Sequence, residues 1–503
     1  ARVSGKVGVA LVTSGPGATN TLTGIADAMM DSTPLVVITG QVASSLLGTD
    51  AFQEIDVIGI TQPITKWAFQ IRRPEDIAWA VSRAFYIAST GRPGPVVLDF
   101  AKDAQVGMVE YAYEKVDYIR SYQPEPDIVP ERIQLAADLI NKAERPFCLV
   151  GQGVILGNAE RELMAFLTRN DIPAASTTLG LSAMPSDFPL NKGMLGMHGN
   201  VGPNRKTNEC DVLIAIGLRF DDRVTGDLKT YAKQAKVIHL DIDNSEIGKN
   251  VPVDVKVLGN AKRTIPLITA LLEERKRPEW NAAFEPDARE EYEKVIRPEL
   301  YPESGYLRMG EVVRKVSEAA DNKAVLVTDV GQNQMMGVRY FKYRQTRSVV
   351  TSGGLGTMGF GLPAAIGAKF GAPGRTVCFF TGDGGLQMTL QELGTIMQER
   401  LDVKIILLNN NFLGMVRQWQ ELFYHKRYSF TEMENPDFVA VAKAYGIAAR
   451  EVRKRAELDD AIREMLDHEG AYLLVADVEL CGMVYPMVPA GCTITDIIMG
   501  EDK

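Results

Sequence analysis

The stretch TVCFFTGDGGLQMT, residues 376–389, decides the fold. A short apolar run, suited to a buried strand, meets three glycines (Gly382, Gly384, Gly385) around one carboxylate, Asp383. The chain then enters LQELGTIMQER, residues 390–400, which reads as a helix. Small residues after a strand let the backbone come close to a ligand, and a helix N-terminus offers free N–H groups to phosphate. Asp383 is the only charge in the turn, so it either caps the helix or holds something.

A diphosphate at such a turn calls for a divalent cation, and Mg²⁺ commonly takes one or two protein oxygens together with phosphate oxygens. The second protein oxygen should come from a neighbouring strand end, where ligands of parallel sheets sit. The next apolar run, VKIILL, ends in NNN, and Asn410 follows Asp383 by 410 − 383 = 27 residues, room for one helix and one return strand. Each feature alone is ordinary turn chemistry, GDG as a cap and Asn as a strand end. Together, with a strand before each, they describe a site.

Working outward, the same alternation of strand and helix recurs three times, which predicts parallel sheets covered on both faces. VGVALVT, PLVVITG and GPVVLDF belong to the first region; PFCLVGQGV, DVLIAIGLRF and KVIHLDID to the second; AVLVTDVGQN, TVCFFTGDGG, VKIILLNNN and AYLLVADVE to the third. The Pro-rich stretch SYQPEPDIVPE (121–131) reads as a linker, residues 132–143 as a helix, and residues 273–305 as a polar stretch of helical character. The expected class is α/β, with three doubly wound parallel-sheet domains over residues 1–120, 121–285 and 286–503.

Composition excludes some functions. The 503 residues carry 55 Lys and Arg against 64 Asp and Glu, a net charge of −9, which does not invite a polyanion such as a nucleic acid. No apolar run is long enough to cross a membrane. Five widely spaced cysteines (Cys148, Cys210, Cys378, Cys481, Cys492) form no CxxC pair, as expected of reduced thiols in a cytoplasmic protein. The four histidines show no metal spacing.

GDG followed about 30 residues later by NN resembles the signature of thiamine diphosphate enzymes, and SGPGATN (14–20) is similar to part of their pyrimidine-binding domain. GTDAFQEIDVIGIT, GMLGMHGN, GLRFDDRVTG, HLDIDNSEIGKN, GLGTMGFGLPAAIGAK, GMVRQWQ and YPMVPAG narrow this to a resemblance to the catalytic subunits of acetohydroxyacid (acetolactate) synthase, spread over nearly the whole chain.

The resemblance implies pyrimidine-binding, FAD-binding and pyrophosphate-binding domains in that order. It implies Mg²⁺ held by Asp383, Asn410 and the carbonyl of Phe412. It places thiamine diphosphate against Val330, Gln332, Gly356, Met358 and Met415. FAD falls to Arg92, Gly151, Gly153, the run from His198 through Gly199, Asn200 and Gly217 to Arg219, and the run from Asp241 through Asp243 to Asn260. By itself GQGVILG spaces its glycines one residue too widely for a G-x-G-x-x-G fingerprint.

Arg219 is the expected carboxylate binder for a second ketoacid, since a guanidinium can grip a carboxylate bidentately. Trp419 is implied as the selector of the larger acceptor, and Phe52, Gln53 and Lys102 as pocket residues contributed by another subunit. The implied substrates are pyruvate and 2-ketobutanoate, and the implied assembly a homodimer or tetramer with a separate regulatory subunit. A glyoxylate-type carboligase and a non-catalytic cofactor-binding assembly partner are the competing readings.

In this family an activating Glu precedes the opening stretch ARVSGKVGVA by about ten residues. A chain starting at Ala1 is therefore expected to be impaired and an extended one active. The tail after Pro486, with Gly491, reads as hinge-like, ordering over the site when cofactor binds.

Overall fold

The computed structural model describes residues 1–500. The chain divides into two compact units, residues 1–126 with 352–357, and residues 127–351 with 358–503.

The first unit carries one four-stranded parallel sheet. Its strands are β1 (Gly8–Val12), β2 (Leu35–Gln41), β3 (Trp67–Ile71) and β4 (Pro95–Ala101), in the order β1-β2-β4-β3. The central strand β4 is nearly all buried, and the amphipathic helix Asp76–Ser89 lays Ala80, Ala84, Ile87 and Ala88 against it. That is the residue pattern of a strand covered on both faces.

The second unit holds two six-stranded sheets, also parallel throughout. The first comprises β5 (Pro146–Val150), β6 (Ala174–Ser176), β7 (Asn191–Met194), β8 (Val212–Ile216), β9 (Lys236–Asp241) and β10 (Val255–Leu258), in the order β10-β9-β8-β5-β6-β7. The second comprises β11 (Val325–Thr328), β12 (Val349–Val350), β13 (Val377–Gly382), β14 (Lys404–Asn409), β15 (Ala448–Val452) and β16 (Tyr472–Asp477), in the order β12-β11-β13-β14-β16-β15. Three sheets with parallel strands and helical crossovers bear out the expected α/β class.

The linker reading gives way to the helix Pro130–Lys142 at residue 130, where proline suits the first turn. The polar stretch 273–305 resolves into short helices, Pro278–Ala282, Glu285–Glu291 and Arg297–Leu300. Arg277 begins it, buried, donating to the carbonyls of Ile140, Ala143 and Asn170 and to the Asn170 side chain. Those carbonyls end the helices Pro130–Lys142 and Glu160–Asn170, so one guanidinium, with Arg275 beside it on the Asn141 and Ala143 carbonyls, ties the two C-termini together.

The tail differs from its hinge-like reading. Met487, Val488 and Ile494 are buried, Met487 pairs with Ile498, and Val488 N–H donates to the Met197 carbonyl at 2.8 Å. The segment is anchored on the core of the sheet β5–β10 through Val488 and Ile494.

Candidate active site

Strands β11, β13 and β14 lie side by side, with Thr328 paired to Phe380 and Gly382 paired to Leu408. Their carboxyl ends therefore bring the 329–333, 382–385 and 410–412 turns to one edge. Two of these turns open helices, Gln332–Tyr340 behind Gly331 and Asp383–Met388 behind Gly382. Neither helix has a side-chain cap. Gly331 has φ of +118°, a conformation that L side chains rarely adopt, and a Cβ there or on Gly382 would meet only the amide of Asn333. The turn thus leaves backbone room in front of two helix N-termini, as a diphosphate requires.

Asp383 is not the cap. Gly382 holds that position, and Asp383 is the first helical residue, 1% exposed. Its carboxylate accepts from Asn435 Nδ2 at 2.8 Å and from the Gly384 N–H at 3.0 Å, and no Lys or Arg pairs with it among the described residues. Burial pushes its pKa up, against the hydrogen bonds from Asn435 and Gly384 that favour the carboxylate. Asn410 is also buried. It donates to Gln332 Oε1 at 3.3 Å, and its own Oδ1 faces the Phe412 N–H at 3.3 Å. One carboxylate, one amide oxygen and a nearby carbonyl form a donor set that suits Mg²⁺.

Gln332 links this edge outward. Its Nε2 donates to Gln418 Oε1 and to the Gly482 carbonyl, and Gln418 exchanges hydrogen bonds with both backbone groups of Val484. Gly414 packs closely under this amide: a Cβ there would lie 2.1 Å from Gln332 Oε1, so any side chain would displace Gln332. Met415 and Trp419 stand on the same helix as Gln418, Gly414–Phe423, where Trp419 meets Phe423 edge-on at 5.2 Å.

Two residues that the sequence did not flag organise the edge. Asp329 is fully buried at the end of β11. Its carboxylate accepts from the N–H groups of Val330 (2.7 Å), Gly359 (3.0 Å) and Gly361 (3.0 Å). It also lies where a Cβ on Gly385 would go. Asn333 is buried, with Nδ2 on the Val330 carbonyl and Oδ1 without a partner.

In the sheet β5–β10, strands β9, β8 and β5 are neighbours, so Asp241, Gly217 and Gly151 follow one another along its carboxyl edge. Gly151 and Gly153 sit against Gly217, where a Cβ on Gly151 would be 2.0 Å from the Gly217 carbonyl oxygen. Asp241 accepts the Asp243 N–H, and Asp243 accepts from Ser245. The loop Met197–Asn200 is fixed by Asn200, whose side chain accepts the Met194 N–H, and by His198 Nδ1 at 3.2 Å from the Pro486 carbonyl. Burial holds His198 down at about 4, so the ring is neutral and donates Nδ1–H.

Residues 1–60, 133–268 and 329–476 match, respectively, the N-terminal TPP binding, central, and C-terminal TPP binding domains of thiamine pyrophosphate enzymes. The chain is 44% identical to the probable acetolactate synthase large subunit of Methanocaldococcus jannaschii, over 99% of its own length and 85% of that protein. It is 41% identical to the acetolactate synthase large subunit of Haemophilus influenzae (100% and 89%) and 40% identical to the isozyme 2 large subunit of Escherichia coli strain K12 (99% and 89%). The chain belongs to the acetolactate synthase large-subunit family.

Within that family reading, the remaining candidates divide by unit. Phe52, 88% exposed, Gln53 with φ of +61°, Lys102 and Arg92, which donates to Ser32, all lie in the first unit. Gly356 belongs to that unit too, and a Cβ there would meet open space. Met358, a third exposed, lies in the second unit.

Arg219 is half-buried, with its carbonyl on Asn250. Arg223, four residues on, is the guanidinium beside the Met197 loop. Its Nη1 lies 3.9 Å from Met197 Sδ, and its carbonyl accepts the Met197 N–H at 2.7 Å. Both arginines stand in LRFDDRVTG.

Cys148, Cys210 and Cys378 are buried free thiols, with burial pushing each pKa up, so none is poised as a nucleophile. No helix among the described residues is long and apolar enough to cross a membrane.

His239 yields a prediction. Burial holds its pKa near 4, its Nε2 lies 2.9 Å from the Leu218 carbonyl, and its Nδ1 has no partner. A histidine kept neutral by folding contributes full stability above about pH 6.5. That contribution is lost as pH falls toward 4, by about 3 kcal/mol at 1.36 kcal/mol per pH unit. Thermal midpoints measured from pH 7 to 4.5 are expected to fall more steeply for the wild type than for His239→Leu. Parallel profiles would refute the assignment.

Proposed function

We propose that the protein condenses two pyruvates into 2-acetolactate with release of CO₂, and pyruvate with 2-ketobutanoate into 2-aceto-2-hydroxybutanoate. These products feed branched-chain amino-acid synthesis. The observation that carries this reading is the paired strand-end site: buried, cation-free Asp383 beside Asn410, in front of two uncapped helix N-termini. Family membership supplies the reaction class.

Thiamine diphosphate, when bound, supplies a carbon nucleophile and an electron sink for decarboxylation. The chain's own residues then have definable tasks. Asp383, Asn410 and the Phe412 carbonyl would hold Mg²⁺, and the N–H groups behind Gly331 and Gly382 would receive the diphosphate. Val330, Gln332, Gly356, Met358 and Met415 would orient the rings.

Gly151, Gly153, Gly217, His198, Gly199, Asn200, Asp241 and Asp243 would hold FAD, whose role is not net redox. Arg92 joins them in the same proposal. Arg219 of LRFDDRVTG would bind the acceptor's carboxylate bidentately. None of the histidines is needed as a general base, because the cofactor's own amine would move the proton.

The exposure of Phe52 suits an assembly of two or more copies in which Phe52, Gln53 and Lys102 line the pocket. A separate regulatory subunit and a cytoplasmic location complete the proposal.

Trp419 would set acceptor choice by packing against one extra methyl group, worth about 1–3 kcal/mol in an apolar pocket. With pyruvate and 2-ketobutanoate in competition, Trp419→Leu is expected to lower the ratio of 2-aceto-2-hydroxybutanoate to 2-acetolactate by about tenfold or more. Chromatography of the two products reads this directly, and an unchanged ratio would remove Trp419 from the pocket.

A further inference from the structure

Arg339 lies in the last turn of the helix that Gln332 begins, and its side chain is 2% exposed. Its Nη2 donates to Glu291 Oε1 at 2.6 Å, and the Glu291 side chain is also 2% exposed. The guanidinium lies over the Tyr340 ring, 5.3 Å from its centroid, and the pair's other hydrogen bonds go to one place. Arg339 Nη1 donates to the carbonyls of His198 (2.6 Å) and Gly199 (3.0 Å). Glu291 accepts from Asn200 Nδ2 (2.9 Å) and from the Val201 N–H (2.8 Å).

A buried ion pair has no stability advantage over well-packed apolar side chains, because desolvation offsets the attraction. Here the pair's hydrogen bonds are directed to four consecutive residues, 198–201. That is a positioning arrangement.

The contacts also close a circuit. Gln332 reaches Gln418, Gln418 reaches Val484, and two residues later the Pro486 carbonyl receives His198. His198 and Gly199 are then gripped by Arg339, on the helix where Gln332 sits. Each end of that helix is thereby tied to the loop 198–200 by a separate route.

We propose that Arg339 and Glu291 are positioning residues that make the loop 198–201 and the helix Gln332–Tyr340 one mechanical piece, so that FAD and thiamine diphosphate each tighten binding of the other. The proposal rests on the assignment of those two segments to the two cofactors. It gives the flavin a task in a reaction without net redox. Ordering its loop fixes the helix that carries Gln332. Coupling of this kind is reciprocal, and a factor of about fivefold or more is typical of linked sites.

The test is FAD affinity, read by quenching of flavin fluorescence, with and without saturating thiamine diphosphate and Mg²⁺. The wild type is expected to bind FAD about fivefold more tightly or better when the second cofactor is present. The double variant Arg339→Met with Glu291→Leu removes both charges and leaves neither unpaired. It is expected to bind each cofactor while the coupling factor falls at least about threefold, toward one.

Arg339→Lys keeps the charge but has no fork to reach two carbonyls and a carboxylate. Its coupling should fall in the same direction, and it serves if the double variant does not fold. Undiminished coupling in either folded variant, or a wild-type factor of one, would overturn the proposal while leaving the cofactor assignment standing. Wild-type protein that binds no FAD would overturn both.

Discussion

Replacing Asp383 by alanine is expected to abolish Mg²⁺-dependent activity, with a loss on the order of 10³-fold or more when several kcal/mol of metal-borne stabilisation are removed. The carboxylate is buried, has no basic partner among the described residues, and stands at the N-terminus of one of the two helices that would face a diphosphate. Alanine removes the one formal negative charge there that would hold the cation. Asn410→Ala removes a neutral ligand and should cost less, about 10- to 100-fold. Asp383→Asn keeps the shape and the Asn435 contact but not the charge, and is expected to fall between the two. Steady-state rates across a Mg²⁺ titration separate the cases. An Asp383→Ala variant with the wild-type Mg²⁺ response would show that the metal lies elsewhere.

The second large effect concerns Asp329, which no cofactor is proposed to touch. Its carboxylate accepts three backbone N–H groups, from Val330, Gly359 and Gly361, in a fully buried setting. Alanine would leave three donors without partners at about 1–3 kcal/mol each, so Asp329→Ala is expected to destabilise the protein by about 3–9 kcal/mol. Asp329→Asn has the same outline but one acceptor oxygen, and a fall of about half that size is expected. Thermal unfolding in the absence and presence of thiamine diphosphate and Mg²⁺ measures both consequences. The midpoint should fall, and so should the stabilisation by cofactor, because the 359–361 and 330–333 turns lose their common anchor. A variant with wild-type midpoints in both conditions would contradict this role.

These two aspartates show what the sequence made legible. Asp383 was readable because its neighbours are strand, glycine and helix in succession, and local order fixes where such a carboxylate points. Asp329 follows an apolar run just as plainly, but its meaning depends on Gly359, Gly361 and Gly385, which only the sheet brings to it. Arg277 and Arg339 are similar. Each looks like a surface cation in the sequence and is buried by partners far along the chain.

Among the strands, the long apolar runs β4, β5, β8, β13 and β14 announce themselves because both faces are covered. The edge strands β3, β7, β12 and β15 are short, partly exposed or both, and their residues carry no comparable signal.

The central claim is decarboxylative condensation at the Asp383–Asn410 edge. Its most direct test is the stoichiometry of pyruvate turnover by the protein loaded with thiamine diphosphate, Mg²⁺ and FAD. The account predicts two pyruvates consumed for each CO₂ and each 2-acetolactate formed, with all three rates lost together in Asp383→Ala. Release of CO₂ with acetaldehyde in place of 2-acetolactate would contradict it.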